Sequence, residues 1–127
     1  MSVANSKYFK KSELRCRCGC DEALMDRSFM MRMDTLRERY GRPIYLNSAY
    51  RCPEHNNNVS GTGLDGPHTT GKSVDIRVYG EDAHRMLLYI VELGFTGIGV
   101  GQQGEHKKRF LHIDDLEEGT RPWIWSY

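Results

Sequence analysis

The stretch SVDIRVY, residues 73–79, alternates strictly between apolar and polar side chains. In an extended chain Val74, Ile76 and Val78 fall on one face and Asp75 and Arg77 on the other, the period-two pattern of a strand with one buried face. Asp75 therefore faces away from the core. A second stretch of this kind, residues 109–114, puts Leu111 and Ile113 on one face and Phe110, His112 and Asp114 on the other. Residues 43–46, leading into NSAYRC, and residues 97–100 read as two further short strands.

Helical periods lie between these strands. Asp26 is a capping residue ahead of Phe29, Met33, Leu36 and Tyr40, which recur at the spacing of one helix face, and Gly41 is a stop. A second helix starts at Glu81 or Asp82 and is expected to bury Ala83, Met86, Leu87, Ile90 and Val91 before Gly94 ends it. If both helices cover the apolar face of the sheet, the polar faces of its strands are left together on the other side. The run PEHNNNVSGTGLDGPHTTGK, residues 53–72, has almost no apolar periodicity and reads as one long loop, and long loops in small domains tend to be functional.

A chain of 127 residues fits one domain, residues 1–127, large enough to fold without a metal or disulfides. The formal charge of +1 removes the electrostatic argument for nucleic acid, although residues 1–51 carry eleven basic and six acidic side chains. A solvated mixed surface accounts for that asymmetry. Nothing approaches a membrane span, and the opening MSVANSKYFKKSE lacks the apolar segment of a signal peptide, so synthesis and retention in the cytosol are expected. Cys16, Cys18 and Cys20 crowd into RCRCGC with Cys52 far along the chain, which is not the paired spacing of a structural zinc site. Reduced or partly paired thiols, rather than a metal site, are expected there.

The candidate chemistry lies in His68, Asp75 and His112. Two imidazoles and a carboxylate form a well-attested set for a catalytic zinc with one position open to water. His68 ends the glycine-rich loop, and Asp75 and His112 project from polar strand faces; singly, each histidine also reads as a surface or hydrogen-bonded side chain. Other signals read as structural. Gly99, Gly101 and Gly104 satisfy the dinucleotide fingerprint formally, but the charged run after them is no helix start, and a hairpin turn is expected. Asn58-Val59-Ser60 is a sequon by pattern only, and His55 and His84 read as a loop and a helix-surface histidine. Trp123 and Trp125 are expected to cover the sheet.

The segment SAYRCPEHNNNVSGTGLDGPHTTGKSVDIRV, followed by GFTGIGVGQQGEHKKRFLHID and RPWIWSY, resembles the zinc D-alanyl-D-alanine peptidase family, which includes phage endolysins. The residues that carry the resemblance are Ser48-Ala49-Tyr50-Arg51, His68-Thr69-Thr70-Gly71, Asp75 and His112-Ile113-Asp114. It implies an α+β fold, a small mostly antiparallel sheet with helices packed on one face and a zinc cleft on the other. The implied ligands of Zn2+ are His68, Asp75 and His112, and Arg51 is implied to bind a substrate carboxylate or stabilise the oxyanion. The implied activity is zinc-dependent hydrolysis of peptidoglycan stem peptides, of L-alanyl-D-glutamate or D-alanyl type, by a monomer that acts on the cell wall after phage-mediated release. The alternatives are a D-alanyl-D-alanine carboxypeptidase and an inactive wall-binding or virion module. Gly66 and Ser73 depart mildly from the pattern. Arg109 stands where some members carry an acidic catalytic residue, which leaves Asp114, Glu105 and His106 as candidate bases.

Overall fold

The computed structural model describes residues Met1–Tyr127. Its strands are β1 (Ser2–Val3), β2 (Met25–Asp26), β3 (Tyr45–Ser48), β4 (Ser73–Arg77), β5 (Gly97–Gly101), β6 (Phe110–Asp114) and β7 (Trp123–Ser126). The α-helices are α1 (Lys11–Leu14), α2 (Arg27–Tyr40), α3 (Pro53–Val59) and α4 (Gly80–Glu92). Five strands form one sheet in the order β3-β4-β6-β5-β7, antiparallel except for the parallel pair β5 and β7, while β1 and β2 pair separately.

Both long helices form where the apolar period requires them. Asp26 accepts the Phe29 N–H at 2.9 Å, supplying one of the orphan donors at the start of α2, and Gly41 ends that helix at φ 78°. Phe29, Met33 and Leu36 of α2 and Met86 and Ile90 of α4 are buried with Ile76, Leu111 and Ile113 in one continuous core. The apolar face of the sheet is thereby covered, and each such side chain contributes about 1.5–3 kcal/mol on burial. Val91, expected in the core, is instead exposed, because it lies at the flank of the α4 stripe that faces α2.

The stretch expected to be a long loop is more ordered than its sequence pattern shows. Residues 53–59 form α3, and single 3-10 turns follow at Gly63–Asp65 and Pro67–Thr70. Helix α3 starts on Pro53 and buries only Asn56, so it has no apolar period to find. The C-terminal strand β7 and the pairing of β1 with β2 were likewise not expected. Residues 102–109 do connect β5 to β6 as a hairpin, in keeping with the glycine reading.

Candidate metal centre

Register builds the centre. Asp75 of β4 lies directly opposite His112 of β6, so both side chains rise side by side from the face turned away from the helices. A bulge between Leu46 and Ser48 shifts β3 so that Ser48 stands opposite Asp75, with its hydroxyl 3.5 Å from the His68 ring. His68 arrives on the turn Pro67–Thr70, which closes on Gly71 at φ 76°. A Cβ at Gly71 would meet the Leu24 carbonyl oxygen at 2.2 Å, so glycine there lets the turn seat against β2 and presents His68 to the strands.

The two imidazoles are oriented by what their outer nitrogens touch. His68 Nδ1 lies 2.8 Å from the Ala49 carbonyl oxygen, an acceptor only, so Nδ1 donates and Nε2 is free to face Asp75 Oδ2 at 3.4 Å. His112 Nε2 donates to Asp114 Oδ2 at 2.9 Å, and its Nδ1 lies 2.9 Å from Asp75 Oδ1. The ligand atoms of His68, Asp75 and His112 all lie within 4.8 Å of one another. Burial pushes the Asp75 carboxyl up, but hydrogen bonds and charge from His112 and His68 outweigh it and hold the group well below the usual carboxylate range. Burial lowers the His112 imidazole, but hydrogen bonds and charge from Asp114 and Asp75 outweigh it and raise the group above its ordinary value.

That arrangement fits a divalent metal. A cation taking the place of the His112 Nδ1 proton would meet one carboxylate and two imidazole nitrogens whose other N–H groups are already committed to a carbonyl and a carboxylate, the outer-shell pattern of histidine ligands. The donor set is one for zinc rather than for calcium or magnesium, which take oxygen ligands.

The cleft above these side chains has a volume of about 430 Å³ and is lined by Arg51, Thr62, Phe110, Trp125 and Tyr127 as well as the ligand set. Arg51 Nη1 donates to Asn56 Oδ1 at 3.2 Å, and Nη2 lies 3.9 Å from Asp75 Oδ2. Asn56 in turn donates to Thr62 Oγ1 and the Gly63 carbonyl, which fixes its amide and turns Oδ1 towards the arginine. The glycine at position 66 belongs to this cluster. A Cβ there would meet Thr62 Oγ1 at 2.0 Å and Asn56 Nδ2 at 2.7 Å, so the departure of Gly66 from the pattern is matched by side chains already filling the space.

None of the sequence-derived candidates for the base presents a free group to the cleft. Asp114 is fully buried behind His112, accepting from Arg121 Nε at 3.0 Å and Arg121 Nη2 at 2.7 Å as well as from the imidazole. Burial pushes its carboxyl up, yet His112 and Arg121 together bring it down to about 2. Glu105 is exposed on the β5–β6 hairpin beside Lys107, and His106 stacks on Tyr79 at 4.6 Å between ring centroids. Arg109 is engaged in the same hairpin, donating to the Gly104 carbonyl. Besides the ligand set and Arg51, the titratable side chain lining the cleft is Tyr127, whose phenol is raised chiefly by burial.

Three contributors were not assigned to the site from sequence: Arg121, Trp125, which was expected to cover the sheet, and the glycines of β5, of which Gly99 and Gly101 were read as part of a hairpin turn. Arg121 grips Asp114 with both arms and stacks over Trp125 at 4.9 Å; Trp125 packs 5.3 Å from His112 between ring centroids. An Asp on the strand face of a candidate ligand histidine needs a hydrogen-bonding or cationic partner, but nothing in the sequence picks Arg121 from the other cations of the chain. Gly97, Gly99 and Gly101 of β5 stand opposite Asp114, His112 and Phe110. A Cβ at these glycines would fall 2.1 Å from Asp114 Oδ1, 2.8 Å from Trp125 Nε1 and 2.3 Å from the Phe110 ring. The alternate glycines thus clear half of the sheet face so that the side chains of β6 and β7 can lean across it.

The cysteines, expected on spacing grounds as reduced or partly paired thiols rather than a metal site, converge. Cys16 Sγ lies 3.4 Å from Cys18 Sγ and 3.7 Å from Cys52 Sγ, because the hydrogen bond from the Tyr50 N–H to the Leu14 carbonyl holds the two chain segments together.

A family model described as peptidase M15 matches residues 7–114, a span that takes in the cysteine segment, the Arg51 loop and all three residues of the ligand set. No curated protein and no solved structure matches the chain significantly.

Proposed function

Because the chain belongs to the peptidase M15 family, and so is a metallopeptidase, we propose that it is a zinc enzyme hydrolysing amide bonds in peptidoglycan stem peptides. The observation that carries this reading is the convergence of His68, Asp75 and His112 at the floor of a cleft that also holds Arg51. When bound, zinc supplies Lewis-acid polarisation of the scissile carbonyl and a water whose pKa is lowered towards about 7.

The chain's own side chains supply the rest. The Arg51 guanidinium, braced by Asn56, pairs with a substrate carboxylate close to the scissile bond, and stem peptides with their D-glutamate and terminal carboxylates offer such groups. Asp114 acts as a positioning residue: it holds His112 in one ring orientation and makes Nδ1 a better donor. Tyr127 keeps its phenolic proton at neutral pH and donates it in a hydrogen bond to the substrate carbonyl oxygen as charge develops there. Trp125 and Phe110 exclude water from one wall of the cleft. Among stem-peptide bonds, L-alanyl-D-glutamate cleavage is favoured over cleavage beside D-alanine, in keeping with the resemblance to phage endolysins.

The test is mass spectrometry of purified peptidoglycan digested with the zinc-loaded protein. New peptide termini with uncut glycan strands are expected. Arg51→Ala should lower turnover tenfold or more while retaining zinc, and Arg51→Lys should rescue poorly, since an ammonium lacks the bidentate fork. Binding of wall fragments without new termini, from mildly acidic to mildly alkaline pH, would overturn the proposal in favour of a wall-binding module.

A further inference from the structure

The four cysteines gather away from the residues that line the cleft, and the chain brings them together by a closed loop and by the residue after Arg51. Cys16 is buried at the end of the segment that follows α1, and its N–H donates to the Glu22 carbonyl at 2.7 Å, closing residues 16–22 into a loop. Inside that loop Gly19 at φ 93° and Asp21 at φ 61° coil the backbone. In an extended strand alternate cysteines would stand about 6.6 Å apart in line. Here the coil turns Cys18 and Cys20 back onto Cys16. Cys52 comes from the residue after Arg51, and its N–H donates to Cys16 Sγ at 3.4 Å.

The resulting geometry is specific. Four thiol sulfurs lie within 4.8 Å of one another, with contacts of 3.4, 3.6 and 3.7 Å among Cys16, Cys18 and Cys52. A tetrahedral zinc with Zn–S bonds of about 2.3 Å requires sulfurs about 3.8 Å apart, close to these separations. A disulfide engages two sulfurs and leaves the convergence of the others unexplained, while an iron–sulfur cubane ties each thiolate to a separate iron and needs them spread wider. Burial does not drive the gathering, because Cys18 and Cys20 are exposed and still turn their sulfurs inward.

We propose that Cys16, Cys18, Cys20 and Cys52 hold a second metal ion, a closed tetrahedral zinc distinct from the His68, Asp75 and His112 centre. With four protein ligands it has no position open to substrate, so its role is structural. It ties the segment from Cys16 to Cys20 to Cys52, the N-cap of α3, and α3 carries the Asn56 that braces Arg51. The site therefore fixes one wall of the cleft from behind. The C-x-C-x-C run defeats the usual paired-ligand pattern because the loop itself, not a two-residue knuckle, supplies the chirality that brings alternate cysteines together.

The test does not depend on activity. Protein purified under reducing conditions should carry two zinc ions per chain by elemental analysis, and His68→Ala/His112→Ala should still carry one. Cobalt substitution of that double variant should give the intense near-ultraviolet thiolate-to-cobalt absorption, lost in a further Cys18→Ser/Cys20→Ser variant. For the unmodified protein, titration with an organomercurial should release one zinc as four thiols react, read with a colorimetric zinc indicator. That readout stands even if the cysteine variants fail to fold. Metal-free thiols in the His68→Ala/His112→Ala protein, thiols titrating with no release of zinc beyond that of the histidine centre, or a mass showing disulfides in reduced preparations would each overturn the proposal. Absence of peptidase turnover would leave these results unchanged.

Discussion

Asp114 shares the polar strand face of His112 and Asp75, but the fold gives it a different task. Its two oxygens are divided among the His112 imidazole and both arms of Arg121, with no surface left to solvent. A buried carboxylate so engaged has no lone pair aimed at the cleft. Asp114→Asn should therefore weaken zinc binding at the histidine centre by about 10–100-fold, the usual cost of removing an outer-shell partner. Asp114→Ala should in addition destabilise the fold by about 3 kcal/mol, because Arg121 loses its counter-charge in a largely buried position. Zinc competition titrations and urea unfolding check both; undiminished affinity in Asp114→Asn would show that His112 needs no such support. From sequence, the shared strand face of His112 and Asp114 was legible, but the direction of each carboxylate lone pair was not, since that depends on Arg121 arriving from the connection ahead of β7, a segment with no pattern of its own.

Among the elements, β5 is legible in sequence as a strand, but the reason for its glycines lies in its neighbours. Its Gly97, Gly99 and Gly101 alternate on the cleft face while Ile98 and Val100 point to the helices. Gly97→Ala would set a methyl group 2.1 Å from Asp114 Oδ1, a carboxylate that Arg121 and His112 prevent from yielding. The variant should lose about 1–3 kcal/mol through overpacking and bind zinc more weakly at the histidine centre. Gly61→Ala is the control, since nothing lies within 4 Å of a Cβ there. Equal stability and zinc affinity in the two variants, by calorimetry and zinc titration, would refute this account of the strand. Helix α3 shows the opposite limit: seven residues wound around one buried asparagine amide carry no hydrophobic period, so a reading based on apolar spacing passes over it.

At the scale of the whole molecule, metal binding and folding are linked. The histidine centre joins β4, β6 and the turn that carries His68, three segments separated along the chain, and metal affinity for the native arrangement is felt as stability. Free zinc at 100 times its dissociation constant adds about 2.7 kcal/mol. Chelation should lower the melting temperature by several degrees, and the loss should reverse on adding zinc back, with the midpoint rising steadily with the logarithm of free zinc. A melting temperature indifferent to zinc would contradict the linkage. His112→Ala should flatten the part of this dependence that belongs to the histidine centre.

The alternation of residues 73–77 and 110–114 and the helical stripes of α2 and α4 were enough to determine two strands, the two long helices, the buried face of the sheet and the shared polar face of Asp75 and His112, while the α+β arrangement came from the family resemblance. These features are local, because side-chain periodicity follows directly from backbone geometry. The family pattern added Arg51 and tied His68, already a candidate ligand by its chemistry, to the strand residues, a link that periodicity alone could not make. Tertiary structure decided what depends on distance between remote segments. It turned Asp114 towards Arg121 rather than the cleft, put Glu105 and His106 on an outlying hairpin, brought Trp125 and Tyr127 to the mouth of the cleft and gathered Cys52 to the three early cysteines. Spacing along a chain measures separation within one element. Where two elements meet through a backbone hydrogen bond such as that between Tyr50 and Leu14, the spacing says nothing about which side chains will touch.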